Sequence, residues 1–269
     1  MGKTAKKAAK KALVKVAAKA KAKAPVVKKS AKTAAKSAPA NGKKAASAKK
    51  TATSTSAAVD KERFTLYGIL SSGPTYTVGL MLNLCKYPFS YIHINLREGQ
   101  HKQPDYLVKN RYGQVPALRD GQTYYVQSAA ILEHLAEVLK KFDGKTDQER
   151  NRIREWQFWQ WDKLAPPIYR LRARARGLRQ FGDETRNMYD TEARAALAIL
   201  DHEFQRTEWI AAKRPTIADI GLYGVLRYAP EANVDLSLYP HVLEWKARFE
   251  ALPGFGTPDQ ILPMESRLT

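Results

Sequence analysis

The sequence predicts a chain of three parts: a basic N-terminal tail, an α/β domain with the element order β-α-β-α-β-β-α, and an all-helical domain. The tail is predicted because residues 1–50 hold 17 lysines and no acidic residue. The α/β domain is predicted because residues 112–132 change from a strand-like pattern to helical spacing. From residue 148 onward the apolar residues recur at helical spacing, which predicts the third part.

The excess positive charge of the chain is confined to its N-terminal end. The full sequence of 269 residues carries 46 basic and 26 acidic residues, a formal net charge of +20. Subtracting the 17 lysines of residues 1–50 leaves 29 basic against 26 acidic residues, a net charge of +3. The remainder therefore has the charge balance of an ordinary globular protein, and it is long enough for two domains.

We interpret residues 1–60 as a disordered tail, because they contain too few apolar side chains to offset the entropy of ordering. Dense lysines bind polyanions by releasing counterions, and without aromatic neighbours they read no base sequence. The tail is therefore predicted to bind DNA or another polyanion non-specifically through its paired lysines: Lys6, Lys7, Lys10, Lys11, Lys28, Lys29, Lys43, Lys44, Lys49 and Lys50. Its Lys/Ala pattern resembles histone H1 tails. A solubilising extension and a transit peptide are the alternatives, although transit peptides favour Arg and Ser.

Cysteine usage and hydropathy exclude several classes of protein. The single cysteine, Cys85, excludes an internal disulfide framework and a CxxC redox pair. No run of about eighteen apolar residues could span a membrane, and the N-terminus lacks the apolar core of a signal peptide. His93 and His101 have no partners at a metal-ligand spacing, so we expect no metal site. We expect a cytoplasmic protein, and the tail raises association with the nucleoid as a further option.

The α/β domain is predicted over residues 61–142, and its first half alternates strands with helices. A Pro at the first helical position favours a helix start near Pro74. Cys85 follows two leucines on this helix and is interpreted as core filling. The predicted elements are a strand at residues 64–69, a helix from Pro74 to Cys85, a strand at 91–95 and a short helix at 105–109.

A hairpin and a helix complete the domain. Residues 115–118 are apolar, and Asp120-Gly121 is the dipeptide typical of a two-residue hairpin turn. Residues 123–126 are aromatic and β-branched, as a paired strand should be. Helical spacing begins after Gln127-Ser128. Pro116 stands where the first of these strands begins, where its ring removes a ladder donor, and the bond before it can be cis at modest cost. The resulting order is the thioredoxin-like arrangement.

Four motifs resemble the glutathione S-transferase family: GQVP at residues 113–116, QSAAIL at 127–132, PTIAD at 215–219 and LPGF at 252–255. The resemblance implies a cis bond before Pro116 and main-chain groups of Val115 that pair with the cysteinyl part of glutathione. It also implies that Gln127 and Ser128 hold the γ-glutamyl end. Glutathione would be a substrate of such a protein. The glutathione-binding residues implied are Lys102, Gln114, Val115, Pro116, Gln127 and Ser128.

Ser72 is the candidate that activates the thiol. Pro74 and the residues before it are typical of a helix start, and the free amides there favour a thiolate over a thiol. Ser72 also matches the serine of the family's SGNxYKV pattern. Tyr67 is the second candidate, since other members use a tyrosine at the end of the first strand. A simple helix cap is the alternative for Ser72, and Pro74, Thr77 and Arg111 depart from the family pattern.

The helical domain is predicted over residues 148–257, after a linker at 143–147 and before an extension at 258–269. Its first helix should kink or break at Pro166-Pro167. Thr216 and Asp219 predict a capping box, and the last helix is predicted over residues 236–252. Five arginines do not fall on a single stripe and are expected to form a solvated basic face: Arg170, Arg172, Arg174, Arg176 and Arg179. In the family this helix borders the pocket for the second substrate, so an anionic co-substrate is the alternative.

These features together predict a glutathione transferase that attacks a small hydrophobic electrophile, carries a polyanion-binding tail and forms a homodimer, as the resemblance implies. One alternative is a non-catalytic scaffold stationed at the nucleoid or the transcription machinery. Another is a glutathione-dependent reductase, isomerase or dehalogenase.

Overall fold

The structure is a computed structural model that describes residues 63–262. The tail predicted for residues 1–60 lies outside these residues. The elements are β1 (Phe64–Gly68), α1 (Gly73–Leu84), β2 (Ser90–His93), α2 (Pro104–Leu107), β3 (Ala117–Asp120), β4 (Thr123–Val126), α3 (Ser128–Leu139), α4 (Asp147–Trp159), a π-helical turn (Gln160–Leu164), α5 (Ala165–Ala175), α6 (Asp183–Phe204), α7 (Ile217–Leu226), α8 (Pro240–Glu250) and α9 (Pro258–Ile261). Two short 3₁₀ helices lie at Gln100–Lys102 and Pro230–Ala232.

The first half of the fold is a four-stranded sheet with helices on both faces. Its strand order is β2-β1-β3-β4, with β1 parallel to β2 and antiparallel to β3. Phe64 and Leu66 of β1 are fully buried in the main core, which they share with α1 and α3. Tyr67 points to the other face, where it packs with Tyr106 of α2. The predicted thioredoxin-like order and the all-helical second part are confirmed.

The hairpin turn lies one residue later than the sequence predicted. Asp120 pairs with both Phe64 and Thr123, so the two turn residues are Gly121 and Gln122. Gly121 has a φ of +58°, the conformation for which glycine is favoured. The side chain of Asp120 explains the shift, because Arg63 and His134 hold it in the strand.

Arg63 and His134 fix Asp120 at the end of β3. Arg63 donates from Nε and Nη2 to the carboxylate at 2.8 and 2.9 Å, and His134 Nε2 lies 2.9 Å from Oδ2. The hydrogen bond from Arg63, and to a smaller extent that with His134, holds the pKa of the Asp120 carboxyl below its usual range. In the structure this carboxylate bonds to Arg63 and His134 and not to the backbone of the turn.

The second strand is shorter than predicted and ends at His93 rather than Asn95. The side chain of Asn95 accepts hydrogen bonds from the backbone N–H groups of Arg97 and Glu98, at 3.0 and 3.3 Å. An asparagine that bonds its own following backbone starts a turn and ends a strand.

The α-helix is interrupted just before Pro166 and Pro167, as predicted, and the interruption is a π-helical turn between α4 and α5. The N–H of Ala165 bonds to the carbonyl of Gln160, five residues back, and both prolines then occupy the first turn of α5, where no N–H is needed. Gln160 is 2% exposed and donates from Nε2 to the carbonyl of Gly221 at 3.0 Å. A new α-helix therefore begins at the prolines. The π-helical turn places Trp161 on the side of the first domain, where it lines a groove.

The predicted capping box at the start of α7 is confirmed. Asp219 is fully buried, and its Oδ2 accepts from the backbone N–H of Thr216 at 2.9 Å. Its Oδ1 accepts from the N–H of Ile210 at 3.0 Å and from Nε1 of Trp245 at 3.1 Å. Burial raises the pKa of the Asp219 carboxyl, and these donors oppose that effect. Asp219 thus connects the loop at Ile210, the start of α7 and α8 through hydrogen bonds.

Residues of the predicted C-terminal extension belong to the core. Ile261 and Leu262 are buried and face α1 at Gly79, where a side chain would meet them at 3.0–3.1 Å. Tyr76 of α1 donates its hydroxyl proton to the carbonyl of Gly256 at 2.8 Å. In residues 63–262, no helix combines the length and the apolar character that crossing a membrane requires.

Candidate functional site

A groove of about 480 Å³ opens between the loop that precedes β3 and the start of α1. All six residues that the sequence assigned to glutathione line it: Lys102, Gln114, Val115, Pro116, Gln127 and Ser128. The remaining lining residues are Pro74, Leu96, His101, Asn110, Gly113 and Trp161. These side chains come from six separate segments of the chain, so the fold has brought together residues that are distant in sequence.

The loop before Pro116 presents a free backbone edge to the groove. The Val115–Pro116 peptide bond is cis, as predicted. Within residues 63–262, no group bonds to the N–H or the C=O of Val115. A free donor and acceptor on one extended residue can pair with the backbone of an added peptide, as at a sheet edge.

Asn110 holds this loop in place, and the sequence analysis did not single it out. It is 2% exposed, and its Nδ2 donates to the carbonyls of Gln114 and Pro116 at 2.6 and 3.3 Å. Its Oδ1 accepts from the N–H of Tyr112 at 3.1 Å. Tyr106 adds a hydroxyl donor to the Gln114 carbonyl at 2.8 Å. Two side chains thus satisfy the loop carbonyls on both sides of Val115 and leave Val115 itself free.

The other end of the groove is the N-terminus of α3. Ser128 is the first residue of this helix and is 4% exposed. Gln127 precedes it with φ +68° and ψ 114°, a backbone conformation that side-chain-bearing residues rarely adopt. Free amides and a hydroxyl at a helix start receive a carboxylate well. This end of the groove is therefore suited to an acidic group.

Lys102 and His101 form the polar wall of the groove. Lys102 Nζ donates to the carbonyl of Gly113 at 2.9 Å, which places its ammonium beside the free backbone edge. Burial, and then the neighbouring Lys102, lower the pKa of His101. His101 is therefore neutral at pH 7, and Lys102 is the cation of the pair.

Ser72 is the N-cap of α1, two residues before Pro74 in the groove wall. Its Oγ accepts from the N–H of Thr75 at 3.2 Å, and its own N–H bonds to the carbonyl of Ile69 at 3.0 Å. The hydroxyl proton is not used by that cap bond, so it can be donated to an anion near the helix start. The positive end of the α1 dipole acts at the same place.

Known proteins resemble this chain in sequence and in structure. Residues 62–137 match the family model of the glutathione S-transferase N-terminal domain, and residues 169–253 match that of the C-terminal domain. A solved glutathione S-transferase from Xanthobacter autotrophicus Py2 is 30% identical, with a TM-score of 0.67, and the match covers 74% of this chain and 100% of that one. The chain belongs to the glutathione S-transferase family.

Two relatives of this glutathione S-transferase family member are named for other activities. The disulfide-bond oxidoreductase YfcG of Escherichia coli strain K12 is 24% identical over 188 residues, which cover 67% of this chain and 87% of the relative. Maleylacetoacetate isomerase of Rhizobium meliloti strain 1021 is 28% identical over 212 residues, covering 74% and 97%. Family membership therefore leaves the type of reaction open.

Neither Ser72 nor Tyr67, the two candidates for thiol activation, lines the groove itself. Ser72 caps the helix whose Pro74 lines the groove, whereas Tyr67 belongs to β1. Tyr67 is 7% exposed and lies on the sheet face opposite α1, with Ile94, Tyr106 and Ala117 around it. Burial and then Tyr124 raise the pKa of Tyr67 to about 12. The structure therefore brings Ser72, and not Tyr67, to the start of α1.

Arg172 corrects the expectation of a solvated basic face in the helical domain. It is 8% exposed, and its Nη1 donates to the carbonyl of Ser71 at 2.8 Å. Its Nε donates to Glu231 at 2.9 Å, and its guanidinium lies 3.9 Å from the ring centroid of Tyr228. Its partners lie 56 to 101 positions away in the sequence, so no local pattern could have shown that this arginine holds the loop beside Ser72.

Proposed function

We propose that this chain is a glutathione transferase that binds glutathione in the groove before Pro116 and activates its thiol at Ser72. One observation carries the proposal. Six residues implied by the family motifs line one open groove, and that groove ends at the helix start that Ser72 caps. Val115, with its free N–H and C=O, lines the same groove as Ser128 and as Pro74 of this helix start.

The proposed mechanism begins with backbone pairing. The cysteinyl residue of glutathione pairs with the free peptide groups of Val115, and the γ-glutamyl carboxylate binds at the N-terminus of α3. The sulfur then lies near Ser72, where the hydroxyl proton and the α1 dipole stabilise the thiolate. The thiol proton passes to solvent, and the thiolate attacks an electrophilic carbon held against the helical domain.

Cys85 favours a transferase over a reductase that would use its own thiol. It is the single cysteine of the chain, is 5% exposed and lies in the main core. Burial raises the pKa of Cys85 to about 11, so its thiol is protonated at pH 7. Any disulfide exchange would therefore have to use the sulfur of glutathione alone.

The first test is a titration of the full chain with glutathione, following thiolate absorbance, for wild type and Ser72→Ala. In wild type the thiol pKa of bound glutathione should fall below the value near 8.5 of a free thiol. Loss of the Ser72 hydroxyl should raise the thiol pKa of bound glutathione again by about one unit, equivalent to about 1.4 kcal/mol. It should also slow conjugation by about tenfold.

The matched control is Thr146→Ala, since Thr146 caps α4 in the same way and lies outside the groove. Both substitutions should cost about 1 kcal/mol of stability through the lost cap. Only Ser72→Ala should change the thiol pKa. Equal thiol pKa values in wild type and Ser72→Ala would show that Ser72 is a cap and nothing more, while absence of glutathione binding would favour a scaffold.

For the tail we propose non-specific binding to DNA. Replacing ten lysines by glutamine keeps the length of the chain and removes ten charges: Lys6, Lys7, Lys10, Lys11, Lys28, Lys29, Lys43, Lys44, Lys49 and Lys50. Retention on DNA at low salt should be lost, and the slope of affinity against salt should flatten, because fewer counterions are released. Conjugation should not change. A variant that binds DNA as tightly as wild type would contradict this proposal.

The homodimer stays a prediction of the family resemblance. Several large apolar side chains of residues 63–262 are exposed and are available to a partner surface, with Val108 at 77% and Phe158 at 74%.

A further inference from the structure

A second cavity, of about 400 Å³, lies on the side of the β1–α1 loop that faces the helical domain. Leu70 and Ser71 of that loop line it, whereas Pro74 lines the glutathione groove. The two cavities therefore meet the chain on either side of Ser72. The opposite wall is formed by α5, the end of α7 and the start of α9.

The charged side chains of this second cavity carry a positive excess. Three arginines line it, Arg172, Arg176 and Arg227, against two carboxylates, Glu231 and Asp259. Glu231 is shared by Arg172 at 2.9 Å and Arg176 at 4.0 Å. In residues 63–262, no carboxylate comes within ion-pair distance of Arg227. A carboxylate that entered the cavity would therefore meet guanidinium groups that Glu231 does not fully neutralise.

Tyr228 provides a buried donor at the same place. It is 2% exposed, and its hydroxyl finds no hydrogen-bond partner in the part of the chain that the structure describes. Its ring lies 3.9 Å from the guanidinium of Arg172 and 5.6 Å from that of Arg227. Burial raises the pKa of Tyr228 to about 12, so the hydroxyl keeps its proton at pH 7. An unpaired buried hydroxyl is costly, and a bound acceptor would satisfy it.

We propose that this cavity binds a carboxylate of the second substrate, so that the electrophiles used by this protein are anionic. Arg227 and Arg176 would pair with the carboxylate, and the hydroxyl of Tyr228 would donate to it. Arg172 would hold the Ser71 carbonyl and so fix the loop between carboxylate and sulfur. The inference rests on the proposed function for its chemistry and adds the class of substrate.

The test compares two aryl chlorides with the full chain and glutathione. One is 4-chloro-3-nitrobenzoate, and the other is the uncharged 1-chloro-2,4-dinitrobenzene. In both reactions the thiolate sulfur forms a bond to the ring carbon, the carbon–chlorine bond breaks, and chloride leaves with the electron pair. The thiol proton goes to the buffer. The two probes differ at one ring position, where the benzoate carries its carboxylate and the uncharged chloride carries a second nitro group. Because that nitro group makes the uncharged chloride intrinsically more reactive, each variant is compared with wild type for each probe separately.

Arg227→Gln and Tyr228→Phe should each raise the KM for the benzoate by about tenfold, the effect expected from one charge-assisted or buried hydrogen bond. The KM for the uncharged chloride should change less than about twofold. Arg179→Gln is the matched control, because it removes the same charge from an exposed arginine outside the cavity. Tyr228→Phe should not lower the Tm, since the lost hydroxyl makes no bond.

Calorimetric titration of the benzoate in the presence of S-methylglutathione, which cannot react, separates this proposal from the proposed function. Binding that weakens in Arg227→Gln and Tyr228→Phe but not in Arg179→Gln supports the carboxylate site, even if no variant turns over either chloride. Conjugation of the uncharged chloride, with benzoate binding absent or equal in all variants, overturns the carboxylate site and leaves the transferase standing.

Discussion

Gln127 has a backbone conformation that costs stability, and its side chain lines the groove. Its backbone is held at φ +68°, where a side chain costs about 1–3 kcal/mol. Glycine would adopt this conformation freely but would provide no side chain. We therefore propose that the glutamine is present at this position for its side chain in the groove and not for folding.

Gln127→Gly should leave the free energy of unfolding unchanged or raise it by about 1 kcal/mol, since relief of strain offsets the entropy of glycine. Glutathione affinity should fall by about tenfold with the loss of the amide. The control is Lys140→Gly, which relieves a φ of +54° at the other end of α3, outside the groove. Chemical unfolding and glutathione calorimetry measure both quantities. Equal affinity in both variants would show that the Gln127 side chain does not touch the ligand.

Residues of the candidate site could be predicted from the sequence where they belong to a short motif, and could not be predicted where their partners come from distant parts of the chain. Val115, Pro116 and Ser128 lie in short motifs whose spacing is visible in the sequence, and the structure places them in one groove. Arg172 could not be predicted in the same way, because its partners Ser71 and Glu231 come from other elements. Periodicity describes one helix, whereas the burial of an arginine depends on what packs across from it.

At the scale of elements, the type and order of helices and strands were predictable, and their ends were less so. The order β-α-β-α-β-β-α follows from periodicity and turn residues, which act locally. The hairpin turn was misplaced by one residue because Asp120 bonds to Arg63 and His134, two contacts outside the hairpin. The prolines after α4 were expected to interrupt the helix, and the α-helix is indeed interrupted just before them, by a π-helical turn that the sequence did not predict.

The capping box of α7 is an element whose loss should affect folding before chemistry. Asp219→Ala would leave four buried donors without this acceptor: the N–H groups of Ile210 and Thr216, the hydroxyl of Thr216 and Nε1 of Trp245. At about 1–3 kcal/mol for each, the loss in the free energy of unfolding should be several kcal/mol. Asp219→Asn keeps one oxygen acceptor and the side-chain volume, so its loss should be smaller.

Urea unfolding of both Asp219 variants measures this loss, and the kcat of the protein that remains folded should equal that of wild type. A variant of normal stability with reduced kcat would contradict the structural role of Asp219. Asp219 contacts α8 and the loop at Ile210 and does not line the groove. A loss of stability can therefore be distinguished from a loss of kcat.

At the scale of the whole molecule, α1 is the shared element of both halves. Its start carries Ser72, and its length is packed against α7, with Thr77 facing Gly224. Thr77 also donates its hydroxyl proton to the carbonyl of Gly73 at 2.9 Å, next to Ser72. The helical domain therefore fixes where the first turn of α1, and the groove end it forms, can lie.

Gly224→Ala tests this close approach, because two effects of opposite sign compete. Alanine in a helix interior should gain about 1 kcal/mol over glycine. A Cβ at this position would overlap Thr77 Oγ1 in a buried contact, however, and overpacking of this kind costs about 1–3 kcal/mol. We expect overpacking to prevail, giving a net loss of stability, a displaced α1 and weaker glutathione binding.

The double variant Gly224→Ala with Thr77→Ala identifies the clash as the cause. Removing Oγ1 leaves Thr77 Cβ, which would lie 3.0 Å from the new methyl group, so only part of the overlap persists. The two substitutions should therefore be strongly non-additive, with a coupling free energy of about 1 kcal/mol or more. Thermal unfolding and glutathione calorimetry of the four proteins supply the cycle. Additive effects would show that α7 does not press on α1 at Thr77, and that the groove end is set by the first domain alone.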